Sequence, residues 1–252
     1  MGDSGTTRQS PWLSDLTWDE AKARLDSGAI CLIPLGAACK EHGWHLPLGT
    51  DRLVISALAE RLATAFDLVI APVIDQGFYP AFTAFPPSQS LSARLFEDLL
   101  FETLSGFTAA GYGNLCVLNG GVSTEPGVTL ACRRILDETG VIVWSSGIRQ
   151  WGRSADHLLQ DPTGGHADER ETSVMLALCE AAVRMDRAEG RPEPSCPASV
   201  LTSPAVLSPE THPSGATGSP HLAEAEKGRA IFEAMVADLV RGLAQAFPEH
   251  RR

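Results

Sequence analysis

The sequence predicts a three-layer αβα fold of the α/β class, built on a mostly parallel sheet. Short apolar runs alternate along the chain with longer stretches in which apolar residues recur every three or four positions. The first pattern indicates strands and the second indicates helices. Strands that alternate with helices favour a parallel sheet with helices on both faces. The apolar runs also lack polar alternation, which indicates that both strand faces are buried.

Four apolar runs supply the predicted strands, which cover residues 30–35, 67–73, 114–119 and 141–144. The spacing of apolar residues then places the helices. They cover about residues 12–25, 53–66, 93–110 and 126–138, a stretch that buries Val174, Leu178 and Ala182, and a last stretch that buries Ile231, Met235, Leu239 and Leu243. Residues 75–92 are too rich in proline and aromatic residues for an ordinary connection. They suit a structured loop at an active site or interface, or equally a surface loop packed on its own aromatic residues.

The composition indicates a single domain over residues 11–252, after a disordered N-terminus over residues 1–10. The chain has 252 residues, of which 44% are hydrophobic, enough for one sizeable core. No apolar run approaches ~18 residues, so we expect no membrane span. A formal charge of −11 argues against nucleic acid or an anionic membrane as a partner. The six cysteines form no CxxC pair, which is typical of reduced thiols in a cytoplasmic protein.

The connection between the first strand and its helix holds the densest set of metal-capable side chains. These are Glu41, His42, His45 and Asp51. Imidazole and carboxylate groups together suit Zn, Mn or Fe, and loops at the carboxyl ends of parallel strands are where ligands bind. The alternative is that Asp51 only favours the helix N-terminus and that the histidines are ordinary loop residues.

Three later segments carry further candidate groups. After the third strand, the backbone N–H groups of Gly120 and Gly121 could hold an oxyanion or the substrate. Trp151, between two arginines, could help to clamp an anionic or planar substrate, although such residues are more often a solvated surface. His166 precedes the acidic start of a predicted helix, which contains Asp168, Glu169 and Glu171. An acidic first turn also complements the helix dipole without any chemistry.

Two motifs and the C-terminal region resemble the creatininase (creatinine amidohydrolase) family. The segment His42-Gly-Trp-His-Leu-Pro-Leu-Gly-Thr-Asp51 matches the family's His-Gly-Pro-His-Leu-Pro-Leu-x-Thr-Asp. Residues 166–173 match His-Ala-Gly-Glu-x-Glu-Thr-Ser except at Asp168. Residues 214–228 resemble the family's closing loop and the Ala-x-Ala-Glu-Lys-Gly segment that follows it. The resemblance extends from about residue 14 to residue 247.

The chain departs from the family pattern at two places. The family has Glu two residues before the histidine of the first motif, where this chain has Lys40, with Glu41 adjacent. The family also has a metal-binding His in an Asn-Gly-His-Gly-Gly-Asn turn, where this chain has Gly121. One ligand of the family's two-metal centre is therefore missing. We expect about one divalent metal ion per subunit.

The resemblance implies a homohexamer and metal-dependent hydrolysis of a C–N bond other than a peptide bond. The substrate would be a small molecule such as a cyclic amide or formamide. The implied ligands are His42, Asp51 and Glu41. The implied catalytic residues are His166, as an acid/base or a ligand, and Glu171 or Glu169, which would orient His166 or act as the base. Substrate binding is expected for Gly120, Gly121, His45 and Trp151. Two alternatives remain: a metal-bound lyase or isomerase on the same fold, and a catalytically silent member that binds a small molecule.

Overall fold

The computed structural model describes residues 10–161, 165–190 and 213–251. The described residues are organised around a four-stranded parallel sheet in the order β2-β1-β3-β4. The strands are β1 (Ile30–Leu35), β2 (Leu68–Ile70), β3 (Leu115–Asn119) and β4 (Trp144–Gly147). This confirms the α/β class and the parallel sheet. Most of the predicted disordered N-terminus, residues 1–9, lies outside the described residues.

Six α-helices surround the sheet in the described part of the chain. They are α1 (Trp18–Asp26), α2 (Thr50–Ala65), α3 (Ala93–Ala109), α4 (Glu125–Thr139), α5 (Glu169–Cys179) and α6 (Ala225–Ala246). Local chemistry sets several of their ends. A capping box between Thr17 and Glu20 begins α1. Gly140, with a φ of 75°, ends α4 in the left-handed conformation that glycine adopts readily.

The two faces of the sheet carry separate apolar layers, which makes the three-layer arrangement. Ile30 and Leu32 of β1 face the layer formed with α2, α5 and α6. Cys31, Ile33 and Leu35 alternate with them and face the layer formed with α3 and α4. Side chains of a strand point alternately to opposite faces, so an uninterrupted apolar run fits a central strand buried on both sides. The predicted stripe of α6 is also confirmed, because all four of its residues are buried.

Four predicted elements differ from the structure. The second strand covers only Leu68–Ile70 of the predicted residues 67–73. Helix α5 ends at Cys179, so Ala182 of the predicted stripe lies in a 3-10 turn and, like Leu178, is only partly buried.

The fourth strand begins at Trp144, where the predicted one ended, because the edge of a sheet does not require an apolar run. Its backbone pairs Ser145 and Ser146 with β3, while Ile142 before it is 60% exposed. The predicted helix over residues 12–25 is divided into a 3-10 turn at Leu13–Asp15 and α1.

The strand order creates a crevice at the carboxyl edge of the sheet. From β1 the chain passes through α2 to β2 on one side, and from β3 it passes through α4 to β4 on the other. These two helices lie on opposite faces. The loops that leave β1 and β3 therefore diverge, and such a switch point is where open parallel sheets bind ligands. Within the described residues, no helix has the length and apolar character needed to cross a membrane.

Candidate metal and active site

The loop after β1 buries an ion pair between Lys40 and Asp51. Lys40 Nζ lies 2.7 Å from Asp51 Oδ2, and the two side chains are only 8% and 6% exposed. The backbone of Lys40 is held at both ends, since its N–H donates to Leu48 O and its carbonyl accepts from His42. Burial alone would raise the pKa of the Asp51 carboxyl, but the Lys40 ammonium and the His42 ring hold this pKa well below its usual range.

His42 is oriented so that both of its ring nitrogens face oxygen atoms. Nδ1 lies 2.9 Å from the Lys40 carbonyl oxygen, to which it donates a hydrogen bond. Nε2 lies 2.9 Å from Asp51 Oδ1. A histidine lone pair and a carboxylate oxygen lie this close only when a proton or a metal ion is between or beside them. The His42–Asp51 pair therefore suits a shared cation.

His166 brings a second imidazole to the same place. Its ring centroid lies 5.0 Å from that of His42. His166 Nε2 lies 2.8 Å from Glu41 O and 3.2 Å from Glu41 Oε2, while Nδ1 lies 3.9 Å from Glu171 Oε2. Burial alone would lower the pKa of His166, but the hydrogen-bonded Glu41 carboxylate raises it overall. In return, the pKa of Glu41 is lowered by His166 in spite of burial.

The backbone around His166 is fixed from two directions. Thr217 accepts the N–H of His166 at its hydroxyl (2.7 Å) and donates its own N–H to the His166 carbonyl (2.8 Å). The next residue, Ala167, has a φ of 50°, and its N–H donates to Glu171 Oε2 at 2.8 Å. A left-handed alanine is strained and is kept only where its surroundings determine it. Here those surroundings orient His166 and Glu171 together.

Asp168 caps the helix that carries Glu171. Its Oδ1 accepts the backbone N–H of Glu171 at 2.9 Å, as an N-cap carboxylate does. Burial and the nearby Glu171 carboxylate raise the pKa of Asp168 to about 6. The sequence allowed a purely structural role for the acidic start of α5, in which a carboxylate complements the helix dipole. Asp168 has this role.

The proline- and aromatic-rich stretch packs against this site. The Phe82 ring contacts the His166 ring in a tilted arrangement, with a centroid distance of 4.6 Å and an interplanar angle of 56°. The Lys40 ammonium lies 4.8 Å from the ring centre of Phe82 and 5.7 Å from that of Tyr79, within the range of cation–π attraction. Ser88 accepts the backbone N–H of Glu41 at 2.8 Å. Of the two predicted possibilities for residues 75–92, the structured loop at the site is the one observed.

A cavity of about 730 Å³ opens at this edge of the sheet. Lys40, Asp51, Phe82, His166 and Glu171 line one part of it, and Trp151 and three arginines line another part. Trp151 is buried and donates its indole N–H to Ser146 Oγ at 2.7 Å. Its predicted role in substrate binding stays a prediction, because only 2% of the residue is exposed. The volume is in the range of small-molecule pockets, ~300–1,000 Å³.

His42 and two residues that line the cavity, His166 and Glu171, form a donor set for one metal ion. His42, His166 and Glu171 each offer a ligand atom, and those atoms all lie within 4.8 Å of one another. Two imidazoles and a carboxylate are a ligand set that Zn, Mn and Fe accept. Asp51 Oδ1 lies beside His42 Nε2 and Glu41 beside His166, so both remain next to the proposed ion. The donor set therefore fits one divalent ion.

Two predicted site residues are placed outside this cluster. Glu169 is 1% exposed, and its carboxylate binds Lys227 Nζ (2.7 Å) and the backbone N–H groups of residues 160 and 161. The predicted role of Glu169, orienting His166, therefore does not fit its position. Its carboxylate has a structural role instead. His45 is also buried and does not line the cavity; its Nε2 contacts Thr172 Oγ1 at 2.8 Å. Burial lowers the pKa of His45 to about 4, which keeps it neutral.

The predicted oxyanion role of the glycine turn is not supported. The N–H of Gly120 donates to Leu35 O at 2.9 Å, and that of Gly121 donates to Asn119 Oδ1 at 3.2 Å. Both donors are therefore already used, although Gly120 does line the cavity. A Cβ at Gly121 would lie 2.6 Å from Thr124 Oγ1. The family's histidine could not be introduced here without moving this buried threonine.

The main feature that sequence reasoning missed is Lys40. Its position was visible only as a departure from the family motif, with no indication of where the ammonium would lie. The role of Phe82 was also not individually predictable, because its two contacts belong to segments distant in the sequence. The buried Lys40–Asp51 contact is now the most unusual feature of the site.

Residues 14–243 match a family model described as creatinine amidohydrolase. A mycofactocin precursor peptide peptidase from Mycobacterium tuberculosis is 32% identical, over 98% of this chain and 97% of its own length. The creatinine amidohydrolase of Pseudomonas putida is 26% identical, over 95% and 98%. Both relatives are hydrolases by name, but their names denote different substrates.

Solved structures of creatininases share the fold. A manganese form, titled "Creatininase Mn", has a TM-score of 0.81 and a mutant described as Zn-Zn type has 0.82. Each is 24% identical to this chain and covers 95% of it, with 99% of its own chain matched. This likeness shows the fold, and the two proteins are named as manganese and zinc forms. From the family match over most of its length, this chain belongs to the creatininase family.

Proposed function

We propose that this protein is a metal-dependent hydrolase that cleaves a non-peptide C–N bond, in a cyclic amide or formamide, of a small molecule. The observation that carries the proposal is the convergence of His42, His166 and Glu171 within 4.8 Å at the cavity. Membership of the creatininase family supports hydrolysis as the reaction type. The cavity volume of about 730 Å³ is compatible with a small-molecule substrate.

His42, His166 and Glu171 would hold one divalent ion, either Zn, Mn or Fe. When bound, such an ion supplies Lewis acidity, which polarises an amide carbonyl. The chain contributes the remaining requirements. Glu41 and Glu171 fix the His166 ring from either side, and the hydrogen bond between His166 and Glu41 gives a path for a proton at the edge of the site. Phe82 lines the cavity beside His166, and its ring can help to orient a planar amide.

The first test is the metal content of the purified protein. We expect about one equivalent of Zn or Mn per chain, and its loss in His42→Ala, because that variant removes a buried donor. Glu171→Gln keeps an oxygen to accept the Ala167 N–H but removes the charge, so it should also weaken metal binding. His157→Ala is the matched control, since that histidine is exposed and contacts only Ser154 O among the described residues. Elemental analysis and thermal melts measure content and folding together.

The second measurement is a screen of cyclic amides and formamides with the metal-loaded protein. Hydrolysis of at least one compound, absent from His42→Ala and retained in His157→Ala, is the expected result. Stoichiometric metal without any amidase activity would instead favour a lyase or isomerase. A wild-type protein without metal and without activity would contradict the proposal and favour a silent binding member. The homohexamer, the single domain and the cytoplasmic location stay predictions.

A further inference from the structure

We propose that the Lys40 ammonium is a built-in cation of this site and takes the place of a second metal ion. The inference starts from Asp51, whose two oxygens have different partners. Oδ1 faces His42 Nε2, and Oδ2 faces Lys40 Nζ at 2.7 Å. The carboxylate therefore lies between the proposed metal position and a permanent positive charge.

The ammonium is built into the site. Its side chain is 8% exposed, its backbone is tied to Leu48 and His42, and the rings of Tyr79 and Phe82 lie within 5.7 Å. A buried lysine of this kind needs a counter-charge, since burying an unpaired ammonium is costly. Asp51 supplies that charge. Removing either partner would leave the other buried and uncompensated.

A second divalent ion at Asp51 Oδ2 would have to displace this ammonium. Two cations on one carboxylate oxygen repel each other strongly in a site with little water. No further nitrogen donor is offered at the turn after β3 either, because Gly121 has no side chain. One of the two positive charges that a second divalent ion would bring is thus already present as the Lys40 ammonium. It lines the cavity, where it can attract an oxygen of the substrate.

The consequence concerns the number of metal ions. Lys40→Glu replaces the ammonium with a carboxylate beside Asp51, and the family motif has Glu at this position. We expect this variant to bind one more equivalent of divalent metal than the wild type. Lys40→Met removes the charge without adding a donor, so it should bind the same number of ions as the wild type. Its affinity should rise at least about tenfold, because the neighbouring positive charge is gone.

The experiment compares chelator-treated wild type, Lys40→Glu and Lys40→Met, each titrated with Zn²⁺ and separately with Mn²⁺. Elemental analysis after desalting counts the bound ions. Lys22→Glu is the charge-matched control, since that lysine is exposed on α1 and should not change the count. An equal count in folded Lys40→Glu and wild type would overturn the inference, as would two equivalents in the wild type.

A second measurement does not depend on the variants folding. Crystals of the wild type soaked in Zn²⁺ should show anomalous density at His42, His166 and Glu171, with Lys40 still on Asp51. Zinc on Asp51 Oδ2 with Lys40 displaced would refute the inference. It rests on the proposed function only for the location of the site. A wild type that binds no metal contradicts the proposed function, whereas the difference between Lys40→Glu and wild type tests the inference by itself.

Discussion

His166→Ala is expected to lower turnover by at least about 10²-fold, the lower end of what a positioned catalytic group contributes. His166 lines the cavity and is held by Glu41, Thr217 and the adjacent Phe82 ring. Because the histidine belongs to the three-residue donor set, we also expect weaker metal binding. Turnover and metal content measured on the same preparation check both expectations, with the exposed His157→Ala as control.

The two readouts separate the possible roles of His166. Loss of metal together with activity supports ligation, as proposed. Full retention of metal with a loss of ~10²–10⁴-fold in turnover would contradict ligation and assign the ring to proton transfer. Unchanged activity would remove His166 from the mechanism. The His166 ring is partly exposed and adds little to the apolar core, so we expect the Tm to change little. A thermal melt checks that unfolding is not the cause of the lost activity.

Gly228→Ala is expected to destabilise the protein by about 3 kcal/mol, the upper end of the usual range for overpacking. Gly228 lies in α6, where a Cβ would collide with the backbone of Ser173 and Val174 in α5. Backbone atoms cannot rotate away as a flexible side chain can, so the two helices must separate. For a chain of this size, 3 kcal/mol corresponds to a fall in Tm of roughly 6–12 °C.

Gly242→Ala is the matched control on the same helix. A Cβ at Gly242 meets nothing within 4 Å, and the residue is exposed. This substitution should therefore stabilise the protein by ~0.5–1 kcal/mol, because glycine in a helix is costly relative to alanine. Calorimetry on both variants measures the contrast. Equal melting temperatures would show that the contact between α5 and α6 is looser than described.

The elements that depend on local pattern were predictable from the sequence. In α6 the buried residues recur every four positions, and in β1 every residue is buried. A regular pattern of apolar residues in the sequence therefore predicts both elements. The loop that carries His42 was predictable for another reason, since one contiguous motif holds its ligand-type residues. The boundary of β4 was not predictable from the sequence. Its residues pair with β3 through the backbone, and such pairing at a sheet edge does not require an apolar side chain at Ser145.

The partners of buried polar residues could not be predicted in the same way. Glu169 was expected beside His166 because it is near in sequence, but it pairs with Lys227 on α6. His45 belongs to the best-matched motif, yet it contacts Thr172 of α5. A one-dimensional pattern shows which residues can do chemistry. It does not show which residues of distant segments form ion pairs or hydrogen bonds with them.

The clamp between Thr217 and His166 sets the order in which the protein can become active as it is synthesised. The two residues are 51 positions apart, and His166 is 125 positions from Glu41. All four strands of the described sheet precede residue 148, so they are synthesised well before Thr217 completes the site. Contacts between such distant residues form late, because a long loop must close first. A nascent chain that ends before residue 217 should therefore lack both the site and the part of the apolar layer that α6 supplies.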